Sequence, residues 1–306
     1  MEIPLEGPLA NKTSEVSGLA WWGDRLILLP QYPERWGSQI FALDESKILD
    51  WLDRSKSGQL TSPLFPEPIA FENGHTLAEE IEGFEGFEAI AFRGQTAFLT
   101  VEAETREGAM GYVVRAQMVE GGTRLVVDAD SPIAVRPQSV SENKAEEALL
   151  LAKEKVVSIY EVNGERLNAE PVAHAFDLDL STAALIPFPS IEYRITDVTG
   201  LDERDRFWAI NYFYPGDRDL DLERDPIALR YGQGETHRKQ EAVERLVELV
   251  YTSNGIELAA RSPIQLVLSD EPRNWEGIVR LEDRGFLLVT DKFPRTIFGF
   301  VEMPDQ

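Results

Sequence analysis

Two glutamates flank a pair of apolar runs in "GFEGFEAIAFRGQTAFLTVEAE", residues 83–104: Glu88 opens the first run, Glu102 closes the second, and a Gly-Gln turn separates them. Runs joined in this way form a hairpin, which places the two carboxyls side by side. The pattern recurs in "SGLAWWGDRLILLPQ" from Ser17, "EALLLAKEKVVSIYE" from Glu147, "TGLDERDRFWAIN" from Thr199 and "EGIVRLEDRGFLLVTD" from Glu276. From Gly18, Ala89 and Ala148 to Gln31, Glu102 and Glu161 the spacing is thirteen positions each time. The expected neighbours are therefore Glu88 with Glu102, Glu147 with Glu161, Thr199 with Asn211, and Glu276 with Asp291. Glu15 and Asp197 stand three residues before their anchors, Gly18 and Gly200.

Carboxylates gathered at one place repel, by about 4 kcal/mol for a pair 4 Å apart at an effective dielectric near 20. That repulsion must be offset by a hard cation, by shared protons, or by nearby bases, of which Lys144, Arg273 and Lys292 are close in sequence. Oxygen ligands of this kind suit a calcium-like ion best, and the local bases are few for so many acids.

The elements that must position these residues are repeated hairpins with room between them for outer strands such as "SQIFALD", "MGYVVRAQMV" and "VAHAFDL". A small sheet repeated around an axis is a β-propeller. The expectation is an all-β chain forming one domain over 1–306, with five blades of about four strands, six being the alternative. The N-terminal "EIPLEGPL" is expected to supply the strand that closes the ring. Short helical insertions are expected near 44–58 and 236–249.

A formal net charge of -24 without any Lys/Arg-rich stretch argues against nucleic acid and anionic membranes as partners. No apolar run approaches the length of a membrane span, and the N-terminus lacks a signal-peptide pattern. A cytoplasmic monomer is the expectation. With no Cys and three His, a zinc site is disfavoured. The run "DRDLDLERD", 217–225, imitates a calcium loop but lacks its sixth-position Gly and terminal Glu. P-loop, nucleophile-elbow and dinucleotide-binding motifs are absent from the sequence.

The segments "SEVSGLAW", "EGFEAIAF", "SIYEVNG", "ITDVTGLD" and "NWEGIVRLEDRGFLLVTDKFP" resemble the phytase-like propeller family described as "esterase-like activity of phytase". The resemblance implies phosphate-ester hydrolysis and functional acids at Glu15, Glu88, Glu102, Glu161, Asp197, Glu276 and Asp291. The expected site is a Ca2+ ion held by Glu15, Glu88, Asp197, Glu276 and Asp291, with Glu102 or Glu161 as general base. Lys144, Arg273 and Lys292 would bind a small anionic substrate. Two alternatives are a non-catalytic binding propeller with a structural cation and a calcium-dependent lactonase. The latter is similar in layout through Glu15, Asn143, Asn211 and Asp291.

Overall fold

The computed structural model describes residues 1–106, 108–139, 144–222 and 224–304; Asn143 lies outside them. The chain is a β-propeller. Five inner strands, Val16–Trp22, Phe84–Arg93, Glu146–Ala152, Ile191–Val198 and Trp275–Leu281, touch one another in a closed cycle in that order. Each pairs antiparallel with a return strand: Arg25–Pro30, Thr96–Thr105, Lys155–Tyr160, Arg206–Phe213 and Gly285–Thr290. Third strands follow at Gln39–Asp44, Gly108–Val119, Val172–Asp177, Val243–Thr252 and Phe298–Glu302. The first two sheets are fused through a parallel pairing of their outer strands, Glu67–Glu72 with Arg124–Val127.

The return strands show why such hydrophobic sequences form strands rather than helices. Side chains alternate across a strand, and in "RLILLP" Ile27 and Leu29 pack toward the second sheet while Leu26 and Leu28 pack toward the last one. Phe207 and Ala209 likewise face the third sheet, and Trp208 and Ile210 the fifth. Because both faces of each blade are covered, the strands read as nearly continuous apolar runs.

The small anchor residues follow from crowding at the axis. A Cβ on Gly277 would stand 2.9 Å from Leu19 Cγ, and one on Gly18 would stand 3.2 Å from the Glu88 carbonyl oxygen. The ring closes as expected. Glu2 bridges Gly299, Ile3 N–H donates to Phe298 O at 2.8 Å, and Phe300 N–H donates to Met1 O at 2.7 Å.

One expected helix exists, Glu45–Lys56, with Ile48, Trp51 and Leu52 as its buried face. The other does not. Within 236–249 the chain makes a turn and then the strand Val243–Thr252, hydrogen-bonded to Arg206–Phe213 on one side and Gly255–Leu258 on the other. Its apolar spacing suits a helix, but the strand is buried on both faces, and sheet pairing overrides the local pattern.

The interblade packing makes a direct prediction. Leu28→Ala, at a fully buried position, should lower unfolding free energy by about 2–5 kcal/mol in a denaturant titration. Leu60→Ala, at a position 92% exposed, should change it by no more than about 0.5 kcal/mol.

Candidate functional site

All five inner strands are bulged near one end. Pairing shifts register between Val16 and Gly18, Phe87 and Ile90, Glu146 and Ala148, Ile195 and Val198, and Trp275 and Gly277. Ser17, Glu88, Glu147, Asp197 and Glu276 sit within these shifts. A bulge inserts a residue that escapes the strict alternation and re-aims its side chain. Thus Glu88, Glu147 and Glu276, which strict alternation would send between blades, join Glu102 and Asp291 around a cavity of about 760 Å³.

Arg194, 14% exposed at its side chain, reaches across the acids. Its Nε bonds Glu161 Oε1, its Nη1 donates to Asn274 Oδ1 at 3.2 Å, and its Nη2 lies 3.5 Å from Glu276 Oε1. Asn274 Nδ2 also bonds Glu276 Oε1. Lys144 Nζ stands 3.7 Å from Glu161 Oε2. Gln31 Nε2 donates to Glu88 Oε1 at 2.8 Å. Gln31 fits there because residue 86 is Gly: at its φ of 135° a Cβ would lie 2.4 Å from Gln31 Cγ.

Burial and mutual repulsion raise the proton affinity of the acids. Burial pushes Glu276 up to about 8, against the pull of Arg194. Burial, with Glu161 adding to it, pushes Glu102 up to about 7. Glu88 and Glu147 are raised well above the usual carboxyl range, first by burial and then by neighbouring acids. Asp291 is also raised by burial, but the Phe293 amide, Asn274, Arg194 and Lys292 all favour its charged form. Phe293 N–H donates to Asp291 Oδ1 at 2.6 Å.

The expected ligand set does not converge on one point. Glu15 is ion-paired with Arg35 and Lys292 and does not line the cavity. Asp197 turns to the neighbouring blade, where Oδ2 accepts the Ile278 amide at 2.7 Å. Among the described residues, no group of three or more His, Cys, Asp or Glu side chains is arranged to hold a metal ion. Glu161 is fully buried behind Arg194 and Lys144. Thr199 and Asn211 are not neighbours: Thr199 Oγ1 accepts the Trp208 amide, whereas Asn211 pairs with Ile195 and bonds Arg245.

Of the three expected substrate-binding cations, Lys144 and Lys292 line the cavity, and Arg273 does not. Arg273 is held by the buried Glu244, which accepts its N–H and its Nε–H, each at 2.9 Å, together with Trp275 Nε1–H at 2.8 Å. Glu244 therefore anchors the segment that presents Asn274 and Glu276. His237, which its polar sequence context places in solvent, is buried, with Nε2 3.1 Å from the Glu244 carbonyl. A larger cavity, about 1070 Å³, opens beside the inner-hairpin turns 202–206 and 282–284. Its acids and arginines are nearly balanced, and Arg206 pairs with Glu248 at 3.2 Å and Arg280 with Asp202 at 3.6 Å. The smaller cavity is the stronger candidate because its acids outnumber their partners.

The raised Glu276 makes stability depend on pH. An acid that holds its proton more tightly when folded contributes stability below its unfolded value near 4.5 and loses it as pH rises toward about 8. Glu276→Gln removes this term. The stability difference, variant minus wild type, should therefore grow between pH 5 and 8, by at most about 1.4 kcal/mol per pH unit, and level off above that range. Denaturant titrations at several pH values check the slope.

No family model and no curated protein sequence matches the chain. Solved structures do match its fold. A glycoside hydrolase family 43 protein, BlXynB from Bacillus licheniformis, superposes with a TM-score of 0.53 at 8% identity over 98% of this chain and 55% of its own. A xylan β-1,4-xylosidase from Bacillus halodurans gives 0.53 at 9% identity, covering 97% and 51%. An exo-1,5-α-L-arabinanase from a bovine ruminal metagenomic library gives 0.50 at 10% identity, covering 98% and 97%. The chain thus spans about half the length of the first two. These neighbours bear out the propeller but not the phytase-like family, and they correct the expected function, since they are named as glycosidases rather than phosphate-ester hydrolases. The cations expected to grip an anionic substrate are engaged by Glu161, Glu15 and Glu244.

Proposed function

We propose that the protein hydrolyses a glycosidic bond at this mouth of the propeller, with Glu276 as general acid and Asp291 as the ionised carboxylate that acts as base or nucleophile. The observation that carries the reading is a division of labour between two carboxyls on adjacent strands. Their chain neighbours Trp275 and Thr290 are directly paired. Burial raises both, Glu276 to about 8, but at Asp291 an amide N–H, Asn274 and two cations oppose the rise. Glycoside hydrolysis needs one carboxyl that donates a proton to the leaving oxygen and another that is charged.

Arg194 maintains the division by position. Its guanidinium orients Glu161 and Asn274, and Asn274 bonds the Glu276 oxygen that Arg194 also approaches. Tyr32, Tyr212, Tyr214 and Phe293 border the cavity and give a carbohydrate ring apolar faces to lie against, while the acids meet its hydroxyls. The fold neighbours named for xylosidase and arabinanase activity support a carbohydrate as the small-molecule substrate.

A screen of aryl glycosides and plant-wall oligosaccharides, read by product release, tests the proposal. Glu276→Gln and Asp291→Asn should each lower kcat by about 10²–10⁴-fold while remaining folded. The rate should fall as pH rises through about 8, where Glu276 gives up its proton, and fall again in acid as Asp291 becomes protonated. A blank screen, or unaltered turnover in Glu276→Gln, would overturn the proposal.

A further inference from the structure

The charge balance of the cavity narrows the class of sugar, an inference that rests on the glycosidase reading. Eight carboxyl side chains line the cavity against three cations, Lys144, Arg194 and Lys292. Those cations are already engaged: Arg194 and Lys144 with Glu161, and Lys292 with Glu15. Neither Glu161 nor Glu15 lines the cavity. Among the described residues, no ion pair reaches Glu88, Glu102 or Glu147. Glu102 is 5% exposed, and its Oε1 is buried without any hydrogen-bond partner.

Glu88, Glu102 and Glu147 are each only 5% exposed, so an occupant of the cavity meets them with little water between, and the cost depends on its charge. A neutral ring leaves each acid to keep its proton or to bear an unpaired buried charge, which is expensive. A uronate or a phosphate adds repulsion to that cost. An ammonium group supplies the missing counter-charge and three N–H donors for the carboxyl oxygens that line the cavity. We infer that the substrate carries a free amino group, bound as an ammonium among Glu88, Glu102 and Glu147 on the sugar held at the channel mouth. All three acids line this one cavity. Burial raises the proton affinity of all three, and an ammonium favours their charged form, so binding of the amine should release protons.

Titration calorimetry on the full chain at pH 6 tests this, using one tetrasaccharide skeleton in four forms: free amine, N-acetylated, neutral hydroxyl and uronate. The amine form should bind one-to-one, at least about tenfold tighter than the neutral form, with the uronate weakest. Repeating the titration in buffers of different ionisation enthalpy should reveal proton release. Glu102→Gln should lose most of the preference for the amine over the neutral form. Glu88→Gln serves the same purpose if the first variant does not fold. Equal or tighter binding of the neutral or uronate form would overturn the amino-group inference and leave the glycosidase reading standing. A preference unchanged in both variants would also overturn it, by locating the attraction on the acidic surface. The glycosidase reading stands or falls separately, on product release and on Glu276→Gln.

Discussion

Too few positive charges stand among the carboxyls at one end of this propeller, and the chemistry of the site follows from that shortage. Arg194 is the central cation. It bonds Glu161, approaches Glu276 and Asn274, and lies over the Tyr212 ring at 5.6 Å. One guanidinium cannot neutralise every acid around it. Burial raises the proton affinity even of the acid beside it, Glu276, to about 8, while at Asp291 an amide and cations oppose the rise. A gradient of proton affinity across a few residues is the arrangement that acid–base chemistry requires.

Such a gradient is costly, and the rest of the fold bears the cost. Buried acids that must either stay protonated or lie unpaired destabilise the folded chain. Packing between blades opposes this, since every return strand buries side chains on both faces. Directed contacts then join the inner strands to one another. Ser17 Oγ donates to Phe87 O at 2.6 Å, Thr196 Oγ1 donates to Trp275 O at 2.6 Å, and Asp197 accepts the Ile278 amide. Ser17, Thr196 and Asp197 occupy the same bulges that elsewhere present Glu88, Glu147 and Glu276. The repeated bulge therefore has two uses: some copies hold adjacent blades together, and the others face the cavity.

This double use limits how far the sequence can be read. The hairpin repeat and the ring closure are legible because alternation and turn chemistry are local, and so is the nearness of Glu276 to Asp291, whose strands are joined by one tight turn. Which bulged acids face the cavity is not legible, because Asp197 and Glu276 precede similar strands and differ only in what the next blade presents. Arg194 escapes notice for a related reason. In "IEYRITDV" it alternates with apolar residues and reads as the solvent side of a strand, yet ring closure places that side over the acids. Residues 243–249 mislead in the opposite sense, since Val243, Leu246 and Val247 have helical spacing, yet pairing on both sides makes them part of a strand.

The placement of Glu244 shows how a distant part of the sheet sets the geometry of the mouth. It lies on the third strand of the fourth sheet, fully buried, with its carboxylate gripping Arg273 and Trp275 just before the fifth inner strand. Two residues separate Arg273 from Glu276, so the direction of that segment fixes where the Glu276 carboxyl can reach. The acid with the proton and the cation that orients its neighbours thus come from different blades, Glu276 from the fifth and Arg194 from the fourth. Relative movement of those blades would change the distance between them and, with it, the affinity of Glu276 for its proton. The Glu244 clamp and the Thr196 and Asp197 contacts all cross this one interface. A joint bonded at several points there fixes Arg194 against Glu276, and the proposed division of roles between the two carboxyls of the fifth hairpin depends on that placement.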